Sequence, residues 1–141
     1  MLKLLLIEDA GPYVELLRHH ITTEWPDAAI TEHHPLADGR LAPELTGAAF
    51  DVVVLDQAVE EGRGLEWLTD LTQRPGFPPI VFLIPAADDA HVLPALRAGA
   101  EACINRSKID HRQFIGALAE GARKRKRQLT LWRGTSHAQQ T

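Results

Sequence analysis

The chain has 141 residues, 45% hydrophobic and 24% charged, which suffices for one domain with its own core and excludes a chain too polar to fold. Its single cysteine excludes an internal disulfide, and no apolar run approaches the ~18 residues of a membrane span, so a reducing, cytoplasmic setting is expected. The net charge of -4 is uneven: residues 1–119 hold nine basic against 18 acidic side chains (-9) and residues 120–141 six against one (+5), an acidic body that does not suit nucleic acid.

In chain order, residues 2–7 form an apolar run predicted to be the first strand. The run is too short for a signal core and ends on Glu8 and Asp9, where a cleavage site would need small residues. Pro12 suits the first turn of a helix in which Val14, Leu17 and Ile21 recur at helical spacing until Trp25-Pro26. Residues 28–31 read as a weak second strand. Leu41, Leu45 and Ala49 suggest a helix within 36–49, with limits blurred by Pro35, Gly39, Pro43 and Gly47. Residues 51–55 are the third strand, and Leu65, Leu68 and Leu71 stripe a helix closed by Arg74-Pro75-Gly76. Pro79 introduces a central, wholly apolar strand at 80–84. Asp88 or Asp89 caps a fourth helix that ends at Gly99. Pro94 falls inside that helix, which is therefore expected to be short, kinked, or to start near Leu93. Residues 102–105 are a fifth strand, and Phe114, Ile115, Leu118 and Ala122 belong to a last helix running into the basic segment.

Strands alternating with helices predict parallel βαβ units, hence an α/β, three-layer, doubly wound (βα)5 sheet. In such sheets functional groups gather beyond the carboxyl ends of the strands. Glu8 and Asp9 follow Leu4-Leu5-Leu6-Ile7, and Asp56 follows Val52-Val53-Val54-Leu55, so the three carboxylates are expected to converge. Converging like charges require a cation, and hard oxygen ligands suit Mg2+. Taken singly, Glu8 and Asp9 could equally be a solvated helix N-terminus, and Asp56 a strand-end cap.

Three pieces in order carry a resemblance over residues 1–120: Glu8-Asp9 after the first strand; Asp56 with Gly64-Leu65-Glu66 eight residues on; and Ala98-Gly99-Ala100 seven residues before Arg106. The chain resembles the receiver domain of two-component response regulators. That resemblance implies the flavodoxin-like strand order 2-1-3-4-5, with residues 121–141 a basic extension of the last helix and a flexible tail. It implies that Asp56 is a phosphoacceptor, taking a phosphoryl group from a histidine kinase or phosphotransfer protein in a phosphorelay. Mg2+ would be held by Glu8, Asp9, Asp56 and the backbone carbonyl of Ala58. Arg106 stands where the family carries lysine and would contact the phosphoryl group, with Lys108 as its substitute. The chain would be no enzyme beyond its own phosphoryl transfer and dephosphorylation. A downstream protein would dock on the face of the fourth helix, fifth strand and last helix, where the family also forms homodimers.

Two positions depart from the family pattern. Ile84 replaces the usual Thr or Ser at the end of the fourth strand and has no donor for a phosphoryl oxygen. Cys103 stands at the usual aromatic switch position, and reads as a packed small hydrophobe. Chemistry would survive while the usual switching would not. An alternative is a pseudo-receiver, a protein-interaction module working irrespective of phosphate. A Mg2+ phosphatase of similar fold is disfavoured, because Asp56-Gln57-Ala58 offers one acid where such enzymes carry two.

Arg123, Lys124, Arg125, Lys126 and Arg127 cannot share one helix face and read as a solvated helix extension. The pairs His19-His20 and His33-His34 lack neighbouring ligands at metal spacing and read as surface polar positions.

Overall fold

A computed structural model describes residues 1–42 and 49–140, with side chains through 131. The elements are β1 (Lys3–Ile7), α1 (Gly11–Glu24), β2 (Ala29–His33), α2 (Pro35–Asp38), β3 (Val52–Asp56), α3 (Val59–Gly62), α4 (Gly64–Thr72), β4 (Ile80–Ile84), α5 (Asp89–Arg97), β5 (Ala102–Asn105) and α6 (His111–Gln140). The five strands form one parallel sheet of order β2-β1-β3-β4-β5, the arrangement expected from the sequence.

Alternation along the strands divides the core into two layers. Leu4, Leu6, Val52, Val54, Val81, Leu83 and Ile104 face Val14, Leu17 and Ile21 of α1 and Phe114 and Leu118 of α6. Leu5, Ile7, Val53, Leu55, Phe82 and Ile84 face Leu68 and Leu71 of α4 and Ala95 of α5. Burial on both faces explains why β3 and β4 read as unbroken apolar runs: all five residues of each are buried. The register pairs Ile7 with Leu55, Asp56 with Leu83 and Ile84 with Asn105, which brings Glu8, Asp56 and Arg106 to one edge of the sheet.

Two expectations change. Within 36–49 the described helix is only α2, Pro35–Asp38, which ends at Gly39 with φ 75°; residues 43–48, including Leu45, lie outside the described residues. Leu41 nevertheless joins the core, at 5% exposure. The helix holding Pro94 keeps its expected cap and is short, the first of the three alternatives: it begins at Asp89, where the Asp88 side chain accepts from the His91 amide at 3.1 Å, and has nine residues. β2 runs to His33, two residues past the expected end.

The segment after β3 has no counterpart in the sequence reading. Glu60 (φ 49°) and Glu61 (φ 59°) take left-handed conformations, so α3 is a left-handed turn that Gly62 continues at φ 100°. Gly64 then opens α4 in close contact with the loop that follows β3. A Cβ there would lie 2.3 Å from Gln57 Cα and 2.6 Å from the Asp56 carbonyl oxygen, so only glycine fits.

The five basic residues lie on α6. Arg123 and Arg127 pair with Glu120 at 2.6 and 3.4 Å, Lys124 pairs with Glu101 at 2.7 Å, and Arg125 is buried. Among the described residues no helix is long and apolar enough to cross a membrane.

Candidate functional site

Asp56 ends β3 with no exposed surface. Its Oδ1 accepts from the Ala58 amide at 2.8 Å, and its Oδ2 accepts from Arg106 Nε in a very short contact. The charged partner is thus Arg106, as expected. Lys108 is exposed and makes no ion pair with the site among the described residues.

Glu8 is buried at the end of β1, and its Oε1 accepts from the amides of Asp9 and Ala10, both at 3.1 Å. Arg106 Nη2 lies 3.9 Å from the same oxygen. Oε2 is buried without a donor. Burial first, then a hydrogen bond to Asp56 and its charge, raise the Glu8 pKa from 4.5 to about 8. The raised pKa favours the protonated form of Glu8 at neutral pH.

Asp9 does not join them. Its Oδ1 accepts from the Leu36 amide at 2.9 Å and its Oδ2 from the Glu60 amide at 2.8 Å. Two of the three acids expected to converge do so, and among the described residues no three His, Cys, Asp or Glu side chains are grouped to hold a metal ion. The reason is local: each Asp9 oxygen finds a backbone amide, a strong charge-assisted partner. The Ala58 carbonyl accepts from the Gly62 amide at 3.2 Å. Chemically the donor set still fits Mg2+, being hard oxygen throughout, with the Glu8 Oε2 a buried oxygen that takes a proton or a cation.

Arg106 is held on every side. Its amide donates to the Ile84 carbonyl at 2.7 Å, and its guanidinium carbon lies 4.2 Å from the centre of the Tyr13 ring. The Tyr13 hydroxyl donates to the Arg106 carbonyl at 2.6 Å. Burial opposes the charge on Arg106, but the bond to Asp56 and the charges of Asp56 and Glu8 hold its pKa above the ordinary value. Tyr13, the one tyrosine of the chain, escaped the sequence reading because its partner is 93 residues away.

Ile84 is 1% exposed in the α4-side core and presents no donor to the site. Cys103 is half-buried against the same core, and burial raises its thiol pKa. His34 is more than a surface position, since its Nδ1 bonds the Glu8 carbonyl at 2.6 Å and its Nε2 bonds Glu32 at 3.1 Å. His20 lies 2.7 Å from His111, Nδ1 to Nδ1, which joins α1 to the start of α6; burial, then His111 and His19, lower its pKa.

No protein-family model and no curated protein matches the sequence. Solved structures do match. A response regulator receiver domain protein from Clostridium thermocellum superposes with TM-score 0.73 at 17% identity, covering 89% of this chain and 98% of that one. The signal receiver domain of a DNA-binding response regulator from Colwellia psychrerythraea 34H gives 0.68 at 22% identity, covering 85% and 99%. A response regulator protein from Burkholderia pseudomallei, solved with a phosphorylated aspartic acid, calcium ion and citrate, gives 0.66 at 20% identity, covering 93% and 74%. The chain has the flavodoxin-like fold of response-regulator receiver domains.

Proposed function

We propose that the chain is a receiver module of a two-component phosphorelay and that Asp56 is its phosphoacceptor. The observation that carries this reading is the setting of Asp56: fully buried at the end of the central strand, with one oxygen fixed by an amide and the other by a guanidinium. A carboxylate so fixed is aligned for attack on phosphorus. The new bond joins an Asp56 oxygen to phosphorus, the phosphorus–nitrogen bond of a phosphohistidine breaks, and the imidazole, which already carries a proton on its other ring nitrogen, leaves as the neutral base with the electron pair of the broken bond. Arg106 meets the charge carried by the peripheral phosphoryl oxygens, which is the main requirement of phosphoryl transfer.

The Arg106 side chain is 30% exposed and the Asp56 side chain it pairs with has no exposure, so a donor would reach the carboxylate past Arg106. When bound, Mg2+ supplies further neutralisation of that charge; Glu8, Asp56 and the Ala58 carbonyl would hold it. Asp9 would serve as a ligand on releasing the Leu36 or Glu60 amide. The donor protein would be a histidine kinase or phosphotransfer protein.

A second reading is favoured by a different observation. Ile84 offers no donor, while Leu93 and Leu96 stand 44% and 48% exposed on α5. A pseudo-receiver would use that face, with β5 and α6, to bind a protein or a second copy irrespective of phosphate. Incubation with Mg2+ and acetyl phosphate, followed by intact mass, separates the two. An adduct that vanishes in Asp56→Asn supports the acceptor; none at millimolar Mg2+ supports the interaction module.

A further inference from the structure

We infer that Tyr13 is a positioning and reporting residue for Arg106, carrying a change at Asp56 to the N-terminal turn of α1. The inference rests on Asp56 as phosphoacceptor and adds how the modification is read. Tyr13 grips Arg106 at both ends, its ring under the guanidinium at 4.2 Å and its hydroxyl on the carbonyl at 2.6 Å. The backbone around Arg106 has little freedom. Its amide is bound to Ile84, and the Asn105 side chain accepts from the Ser107 amide at 3.0 Å and hydroxyl at 2.8 Å. Movement at this corner is left to the Arg106 side chain and to what it touches.

What it touches is Asp56, Glu8 and Tyr13. A phosphoryl group joined to one Asp56 oxygen adds three strong acceptors and carries more charge than the free carboxylate. The planar guanidinium pairs with such a group bidentately, in a geometry that its single Nε contact with Asp56 does not provide. The fork therefore swings toward the phosphoryl oxygens and off the ring, and the cation–π contact is lost or remade. That contact lies on α1, whose Val14 and Leu17 pack into the core beside Phe114 of α6. On the opposite side of Asp56, Ile84 is packed in the core and has no donor to answer the same event. The chain thus has a polar route to α1 and none through the end of β4.

The test is NMR of the full chain labelled to show Arg106 Nε–H and backbone amides, with acetyl phosphate and Mg2+, and intact mass on the same samples. In the wild type the adduct is expected to move the ring-shifted Arg106 signals and the amides of 10–17. In Tyr13→Leu the 10–17 response per fraction of adduct formed, both read on the same sample, is expected to fall at least threefold. Tyr13→Phe, which keeps the ring and the fold, is expected to retain that response. An adduct whose formation leaves Arg106 and 10–17 unmoved in the wild type overturns the inference alone, as does an undiminished response in Tyr13→Leu. Absence of any wild-type adduct overturns the acceptor reading together with it.

Discussion

The Asp9 carboxylate is bound to the amide of Glu60, 2.8 Å away and 51 residues on in sequence. This bond explains two features at once: why Asp9 is absent from the Glu8–Asp56 pair, and how the left-handed turn at Glu60 and Glu61 is held. A left-handed residue other than glycine costs roughly 1 kcal/mol, so the turn needs an external tie. Asp9→Ala is expected to destabilise the protein by about 1–2 kcal/mol through loss of acceptors for two amides. Glu61→Gly, with φ already at 59°, is expected to stabilise by ~0.5–1 kcal/mol. Chemical denaturation of both variants checks the pair; equal and negligible changes would mean that the turn carries no strain.

Gly64 packs against the loop that follows Asp56. Its amide donates to the Gln57 carbonyl at 3.0 Å, and any Cβ would overlap the backbone of Asp56 and Gln57. Gly64→Ala is expected to cost ~2 kcal/mol or more, because backbone has to shift instead of a flexible side chain. It should also lower the rate of adduct formation at Asp56 more than an equally destabilising change elsewhere, such as Leu118→Val in the α6-side core. Thermal melts matched against adduct rates separate the local effect from the global one.

The proton on Glu8 makes stability depend on pH. The folded pKa, about 8, lies above the unfolded value of 4.5, so the contribution is fully present below 4.5 and is lost as pH rises toward about 8. Glu8→Gln removes this titration. The stability of the wild type relative to Glu8→Gln is therefore expected to fall steadily between pH 4.5 and 8, measured as the difference between two urea midpoints at each pH. A flat difference across that window would show that Glu8 is ionised in the folded protein.

Arg106 balances Asp56, and removing it leaves a buried carboxylate without its cation. Arg106→Ala is expected to destabilise by roughly 1–3 kcal/mol, less than for a fully buried pair because the guanidinium is 30% exposed. Asp56→Asn should recover much of that loss in the double variant, a coupling read from a double-mutant cycle.

Most of the architecture was legible because strands buried on both faces write themselves as short apolar runs, and a parallel sheet puts their ends on one edge. That is enough to bring Glu8 and Asp56 together from sequence alone, while Arg106 came from the family resemblance. The fate of Asp9 was not legible. It depends on amides at Leu36 and Glu60, and on a left-handed turn that a Glu-Glu pair does nothing to signal, since glycine and asparagine are the residues that favour it. Tyr13 was hidden for a related reason: a residue three positions into a helix looks like any other until the fold sets Arg106 above its ring. The start of α5 was legible in Asp88, which caps it, and the residues ahead of Pro94 form a turn without the amide that proline lacks.

The most direct measurement is fluorine NMR of the protein with beryllofluoride and millimolar Mg2+, since this group imitates a phosphoryl on an aspartate. A bound resonance in the wild type that is absent in Asp56→Asn is the expected result. A wild-type spectrum containing only free beryllofluoride would contradict Asp56 as the acceptor.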